Sequence, residues 1–227
     1  MMKKIVMIMV CLLAVSVVRA QGDQGSFRFY PKVGVGLMKF SGDRVFMESD
    51  YVIKAKYKQG LTAGADLVWQ TGRNTALSLG LMYANLGTRY GDFTWKYEDG
   101  EESLNGLQYS LHYLQVPVMG SLYVSKGLAF KIGVQPAYLI RANYEESSVV
   151  KTFNEDKTVS VKTMETDENA TSGFKRFDFT IPVGISYEFS NIVIDVRYNL
   201  GVTKVFNYSS EGINRGFAFT VGYGIDL

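Results

Sequence analysis

Among the 227 residues there is one cysteine, Cys11, and one histidine, His112. A zinc or iron–sulfur centre needs several such ligands and a disulfide framework needs pairs, so the sequence supplies neither. Proline is scarce, four in all, and charge is nearly balanced, 24 basic against 22 acidic residues. A net charge of +2 gives no electrostatic basis for binding nucleic acid. Beyond the N-terminal region no apolar run is long enough for a membrane helix. No G-x-S-x-G element occurs, and a lone histidine with scattered Ser and Asp does not make a triad. The acids Asp92, Glu98, Asp99, Glu101 and Glu102 cluster without the spacing of an EF-hand and read as a solvated loop. The sequence therefore reads as that of a non-enzyme, with no catalytic, metal or cofactor-binding residue.

What is present begins with an export leader. Lys3 and Lys4 precede a short apolar run over 5–18, and Val18-Arg19-Ala20 ends in a small residue. This order predicts a signal peptide over 1–20, cut after Ala20, and one domain over 21–227. Cys11 lies inside the apolar run behind Val10, which is not the small residue of a lipobox.

The rest alternates with period two, the signature of strands. Over 177–189, Phe177, Phe179, Ile181, Val183, Ile185, Tyr187 and Phe189 oppose Asp178, Thr180, Pro182, Gly184, Ser186 and Glu188. Ile192, Ile194, Val196, Tyr198, Leu200 and Val202 oppose Asp195, Arg197, Asn199, Gly201 and Thr203. The same holds over 27–38, 61–69, 77–83, 128–141 and 217–227. In the 107–124 segment the apolar residues pass from odd positions (Leu107, Tyr109, Leu111, Tyr113) to even ones (Leu114, Val116, Val118, Leu122). That change of phase predicts a β-bulge near Tyr113-Leu114, or two strands meeting at a bend.

Glycine shares a face with the charges throughout. Large apolar side chains facing lipid have no volume limit, whereas a narrow lumen does, so the apolar face is placed outside. The expected fold is all-β, an eight-stranded antiparallel up-and-down transmembrane β-barrel in the outer membrane of a Gram-negative cell envelope, in contact with outer-membrane lipid. Connection lengths agree. Those over 39–58, 88–105, 143–175 and 207–214 are long. Those over 70–75, Ser125-Lys126-Gly127 and Ser190-Asn191 are short. Strict alternation of this kind marks extracellular loops and periplasmic turns. The 143–175 connection carries either a hairpin around 157–163 or no fixed structure.

Inward positions fall to Arg28, Lys32, Asp66, Gln115, Lys131, Gln135, Arg141, Asp178, Glu188, Asp195, Arg197 and Lys204. Acids and bases in similar number, enclosed in a narrow lumen, point to a structural network of ion pairs more than to an ion path. Tyr83, Tyr109, Tyr123, Tyr138, Tyr187, Tyr198, Tyr223, Trp69 and Trp95 are candidates for interfacial girdles.

Several segments together resemble the PorT-like family of outer-membrane β-barrel proteins of Bacteroides-group bacteria. They are Tyr113-Leu114-Gln115-Val116-Pro117-Val118, the G-x-x-P-x-Y-L-I run from Gly133 to Ile140, Phe177-Asp178-Phe179, and Asp195-Val196-Arg197-Tyr198-Asn199-Leu200-Gly201-Val202-Thr203. Gln115 stands where that family tends to have an acid, and Leu227 where it has an aromatic residue. The resemblance implies an outer-membrane barrel and, more distantly, an accessory role in protein secretion of the type IX kind. The alternative is a surface-recognition or adhesion barrel binding ligands through its long loops. Passage of small solutes and lipid modification stand behind both.

Overall fold

A computed structural model of the chain describes residues 23–41, 44–45, 52–97, 100–153, 159–207 and 212–227. The leader expected over 1–20 lies outside the described residues. Of fourteen strand segments among the described residues, ten make up eight staves. These are β1 (Phe27–Phe40), β2 (Ala55–Gln70), β3 (Thr75–Tyr90), β4 (Gly100–Gln115, resuming as Val118–Ser125) and β5 (Leu128–Phe153). Then follow β6 (Phe177–Phe189), β7 (Ile192–Lys204) and β8 (Ile213–Tyr223, resuming as Ile225–Asp226). Each stave pairs antiparallel with the next. β8 pairs with β1, setting Gly222 opposite Lys32 and Phe217 opposite Leu37. The ring is closed, so its staves leave no row of unpaired amides to face hydrocarbon.

The polarity is the inverse of a soluble domain. Ile132 is 61% exposed, Leu81 55% and Val221 51%, while Asp66 and Asp195 are each 1% exposed. Large aliphatic side chains outside and carboxylates inside are stable where the surroundings are hydrocarbon and the acids have partners. Glycine makes room for those partners. Gly184 on β6 pairs with Lys131 on one side and Arg197 on the other. A Cβ there would lie 2.3 Å from the Val196 carbonyl oxygen and 3.1 Å from Arg197 Cγ. Its absence lets both long side chains lie across the inner wall.

The short turns gather at the end that carries Phe27 and Asp226, the periplasmic end by the rule for these barrels. Ser190 and Asn191 both take positive φ, 47° and 69°. This is the type I′ pair whose twist matches a two-residue hairpin.

Four expectations need correction. First, β4 does not change phase: Leu107, Tyr109, Leu111 and Tyr113 are buried inside, followed on the same face by Gln115, Met119 and Ser121. The bulge expected near Tyr113-Leu114 is there as a register shift between His112 and Tyr113, and β4 is interrupted after Gln115; the extra residue is on the neighbouring stave, where Arg141 opposes His112 but Leu139 opposes Tyr113, leaving Ile140 over. Second, that extra residue turns Arg141 out of the lumen, and it is exposed. Lys204 is exposed as well, beyond a register shift between Leu200 and Lys204. Third, Tyr109 and Tyr123 are lumen residues and not girdle residues: Tyr109 is buried, and Tyr123 shares a small cavity with Glu188. The side chain of Trp95 lies outside the described residues. Fourth, the third connection is strand for part of its length, Phe93–Tyr97; in the fifth, the hairpin alternative holds, with Val159–Asn169 paired antiparallel to the far end of β5.

Candidate functional site

The lumen is filled in layers. At its middle three cations share two carboxylates. Lys32 Nζ lies 2.6 Å from Asp66 Oδ2 and Arg197 Nη2 lies 3.1 Å from the same oxygen. Arg197 Nε lies 2.6 Å from Asp195 Oδ1, and Lys131 Nζ 2.7 Å from Asp195 Oδ2. Nearer the periplasm Arg28 pairs with Glu188 and, at 2.6 Å, with Asp226, and it donates to the Tyr30 hydroxyl at 2.7 Å. Tyr30 in turn donates to Glu188 at 3.0 Å. Four buried cations thus meet three buried carboxylates and the exposed Asp226, which is what makes their burial tolerable. Between these layers a cavity of about 20 Å³, lined by Tyr30, Lys32, Tyr123, Lys131 and Glu188, has room for a water molecule and little else.

Asp178 sits higher, satisfied by neutral donors: Thr203 Oγ1 at 2.6 Å, Asn214 Nδ2 at 2.7 Å and the Phe179 amide at 3.0 Å. Gln115 is buried on the same inner face. Of the predicted lumen residues, Lys32, Asp66, Gln115, Lys131, Asp178, Glu188, Asp195 and Arg197 are therefore enclosed, and Arg141 is not.

Above Asp178 the filling turns aromatic, which the sequence reading did not anticipate. After the hairpin that extends β5, a short 3₁₀ turn (Thr171–Gly173) brings the chain back over the mouth. Thr171 Oγ1 accepts from the Ala142 amide at 2.9 Å, and Phe174 drops inside. Its ring centroid is 4.9 Å from Phe206 and 5.4 Å from Tyr109, while Phe40 meets Phe206 edge-on at 5.3 Å. Met38, Leu111, Tyr113, Leu139 and Val205 complete this apolar plug.

Outside the mouth the staves continue as a four-stranded antiparallel sheet. Phe93–Tyr97 pairs with the start of β4, that segment pairs with the far end of β5, and β5 pairs with Val159–Asn169. Glu101 and Lys151 face each other across it at 2.7 Å, and Lys151 holds the Glu101 carboxyl below its ordinary range. Burial pushes Glu146 upward, helped by Glu102. Val159–Asn169 is an edge strand, exposed along nearly its whole length, with Val159, Val161 and Met164 among its bare side chains. His112, far from any carboxylate array, accepts or donates one hydrogen bond with the Tyr83 hydroxyl at 2.6 Å on the outer wall.

Solved structures with a similar course of chain include Ail, the attachment invasion locus protein of Yersinia pestis, at 9% identity and TM-score 0.41, covering 89% of this chain and 99% of that one. Neisserial surface protein A has 12% identity and TM-score 0.39, covering 88% and 97%. CarO2 of Acinetobacter baumannii has 15% identity and TM-score 0.38, covering 87% and 99%. No curated protein matches the chain in sequence. A family model described as the outer membrane protein beta-barrel domain matches residues 19–207, which is most of the length. The chain belongs to the outer membrane protein beta-barrel domain family.

Proposed function

We propose that this outer-membrane barrel is a non-conducting anchor that holds a recognition sheet above the cell surface. The observation that carries the reading is the union of a lumen filled by ion pairs and aromatic rings with staves that run on, still paired, as a four-stranded sheet outside. A filled interior has no path for solute, whereas a sheet with an open edge offers backbone groups and side chains to an external protein or glycan. Lys162, Glu165, Asp167 and Glu168 along the edge strand discourage edge-to-edge pairing between copies.

The test removes the sheet and keeps the barrel. A variant with residues 146–166 replaced by a two-residue turn is expected to fold, as judged by heat-dependent electrophoretic mobility, and to lose attachment of cells to host or environmental surfaces. Unchanged attachment would remove the proposal. The alternative, an accessory role in type IX secretion, draws its support from the Tyr113-to-Val118 and Asp195-to-Thr203 motifs. It predicts loss of secreted surface proteins on deletion of the whole gene and no loss on trimming the sheet. The leader over 1–20 belongs to both readings.

A further inference from the structure

At the extracellular end of the apolar belt the outer wall changes chemistry abruptly. On β1 the outward residue after Leu37 is Lys39, and on β8 the one before Phe217 is Arg215; the two lie opposite each other across the closing seam. On β7 Lys204 follows Val202, and on β5 Arg141 follows Ile140. On β4 His112 precedes Leu114, and Lys175 stands two residues ahead of Phe177. Five of the eight staves therefore meet this boundary with a lysine or arginine, and β4 meets it with His112. On β2 the residue against Lys39 is Tyr57, and on β3 the one opposite His112 is Asn85, so none of the eight is acidic.

These side chains are exposed or half-buried, and among the described residues no carboxylate lies within ion-pair distance of them. That separates them from the lumen, where every cation has an acid. Lys39 lies over the Tyr57 ring at 5.1 Å, and Arg141 donates to the Asn143 side chain at 2.7 Å. Glu145, outward on β5, is already held by Gln108 at 2.5 Å and Ser110 at 3.2 Å. At the opposite rim the belt ends on aromatic residues instead, Phe27 stacked on Trp69 at 6.0 Å.

We propose that this collar binds the phosphate groups of lipids in the outer leaflet. The collar starts where the hydrocarbon-facing belt stops, which is headgroup depth. Among the described residues its cations have no carboxylate partner, and the neighbouring layer supplies one. Guanidinium and ammonium groups at such a surface suit phosphate, each basic side chain contributing roughly fivefold in partitioning.

The probe is spin-labelled phosphatidic acid, compared with spin-labelled phosphatidylcholine, in phosphatidylcholine vesicles holding the refolded protein. The expected result is a several-fold excess of motionally restricted phosphatidic acid, falling as ionic strength rises. It should vanish in the combined variant Lys39→Gln, Arg141→Gln, Lys175→Gln, Lys204→Gln, Arg215→Gln. Equal restriction of the two lipids overturns the proposal, as does an undiminished preference in the variant. If added inorganic phosphate displaces the restricted lipid entirely, the collar takes a free anion and the proposal fails. Should the variant not fold, the salt series on the unaltered protein decides, and a preference indifferent to salt overturns it.

Discussion

Arg197 grips Asp195 two residues away on the same stave, Nε to Oδ1 at 2.6 Å and Nη2 to Oδ2 at 3.2 Å. Both point inward because a strand returns to the same face every second residue. The grip leaves Asp195 Oδ2 free to accept from Lys131 as well, at 2.7 Å. One carboxylate thus ties β7 to β5 across β6. Replacing Asp195 by Asn would leave Lys131 buried without an acid and Arg197 with Asp66 alone, a loss of about 3–5 kcal/mol. Urea unfolding in vesicles measures it. Adding Lys131→Met to Asp195→Asn should recover part of the loss, since the stranded charge is then gone.

Gly184 is the second test of that layer. A Val side chain there would strike Val196 and Arg197 and push the guanidinium off Asp195. Gly184→Val should cost about 1–3 kcal/mol from overpacking alone, and more if the ion pairs part. A Gly120→Val substitution is the control. A Cβ at Gly120 meets only the Ile132 carbonyl oxygen, at 3.8 Å, so little change is expected.

Phe174 is 3% exposed and touches Tyr109, Phe206 and Phe40. Phe174→Ala should lower stability by about 3–5 kcal/mol through the cavity it leaves. It should still show no conductance in planar bilayers, because the ionic layer beneath remains shut. A steady ion current through the unaltered protein would contradict the filled interior.

The Glu101–Lys151 pair gives a pH test. Its folded carboxyl titrates below the ordinary glutamate range. The support it lends the external sheet is therefore complete above the unfolded value and lost as pH falls through the depressed one. An NMR titration should show Glu101 returning to the ordinary range in Lys151→Gln, with the amides of 100–105 and 147–152 exchanging faster. No shift in that variant would show that the pair does not form in solution.

The belt was legible because each stave shows two faces of opposite chemistry, and lipid accepts any bulk. Ile194 against Asp195, or Val183 against Gly184, needs no further information. The interior near the mouth was not legible for the same reason. There both faces of β4 carry large residues, Tyr113 inside and Leu114 outside, and alternation cannot tell which is enclosed when neither is polar. The direction of Arg141 depends on one extra residue, Ile140, which only the pairing with His112 and Tyr113 reveals. Of the external sheet only a hairpin around 157–163 was legible, as one of two readings. Composition could not choose between them: Val159, Lys162 and Glu165 face water on both sides, so no apolar stripe marks the strand. The basic collar was missed because its members lie far apart in sequence and meet only once the staves are aligned.

The seam between Lys32 and Gly222 joins the first stave to the last. Until residues 213–226 have been synthesised and delivered, both flanks of the growing sheet stay unsatisfied, and hydrocarbon offers nothing to satisfy them. Stepwise entry, one hairpin at a time, would strand bare amides in lipid. Assembly must therefore wait for the final segment, with an escort shielding the partly arranged polypeptide on its way to the bilayer.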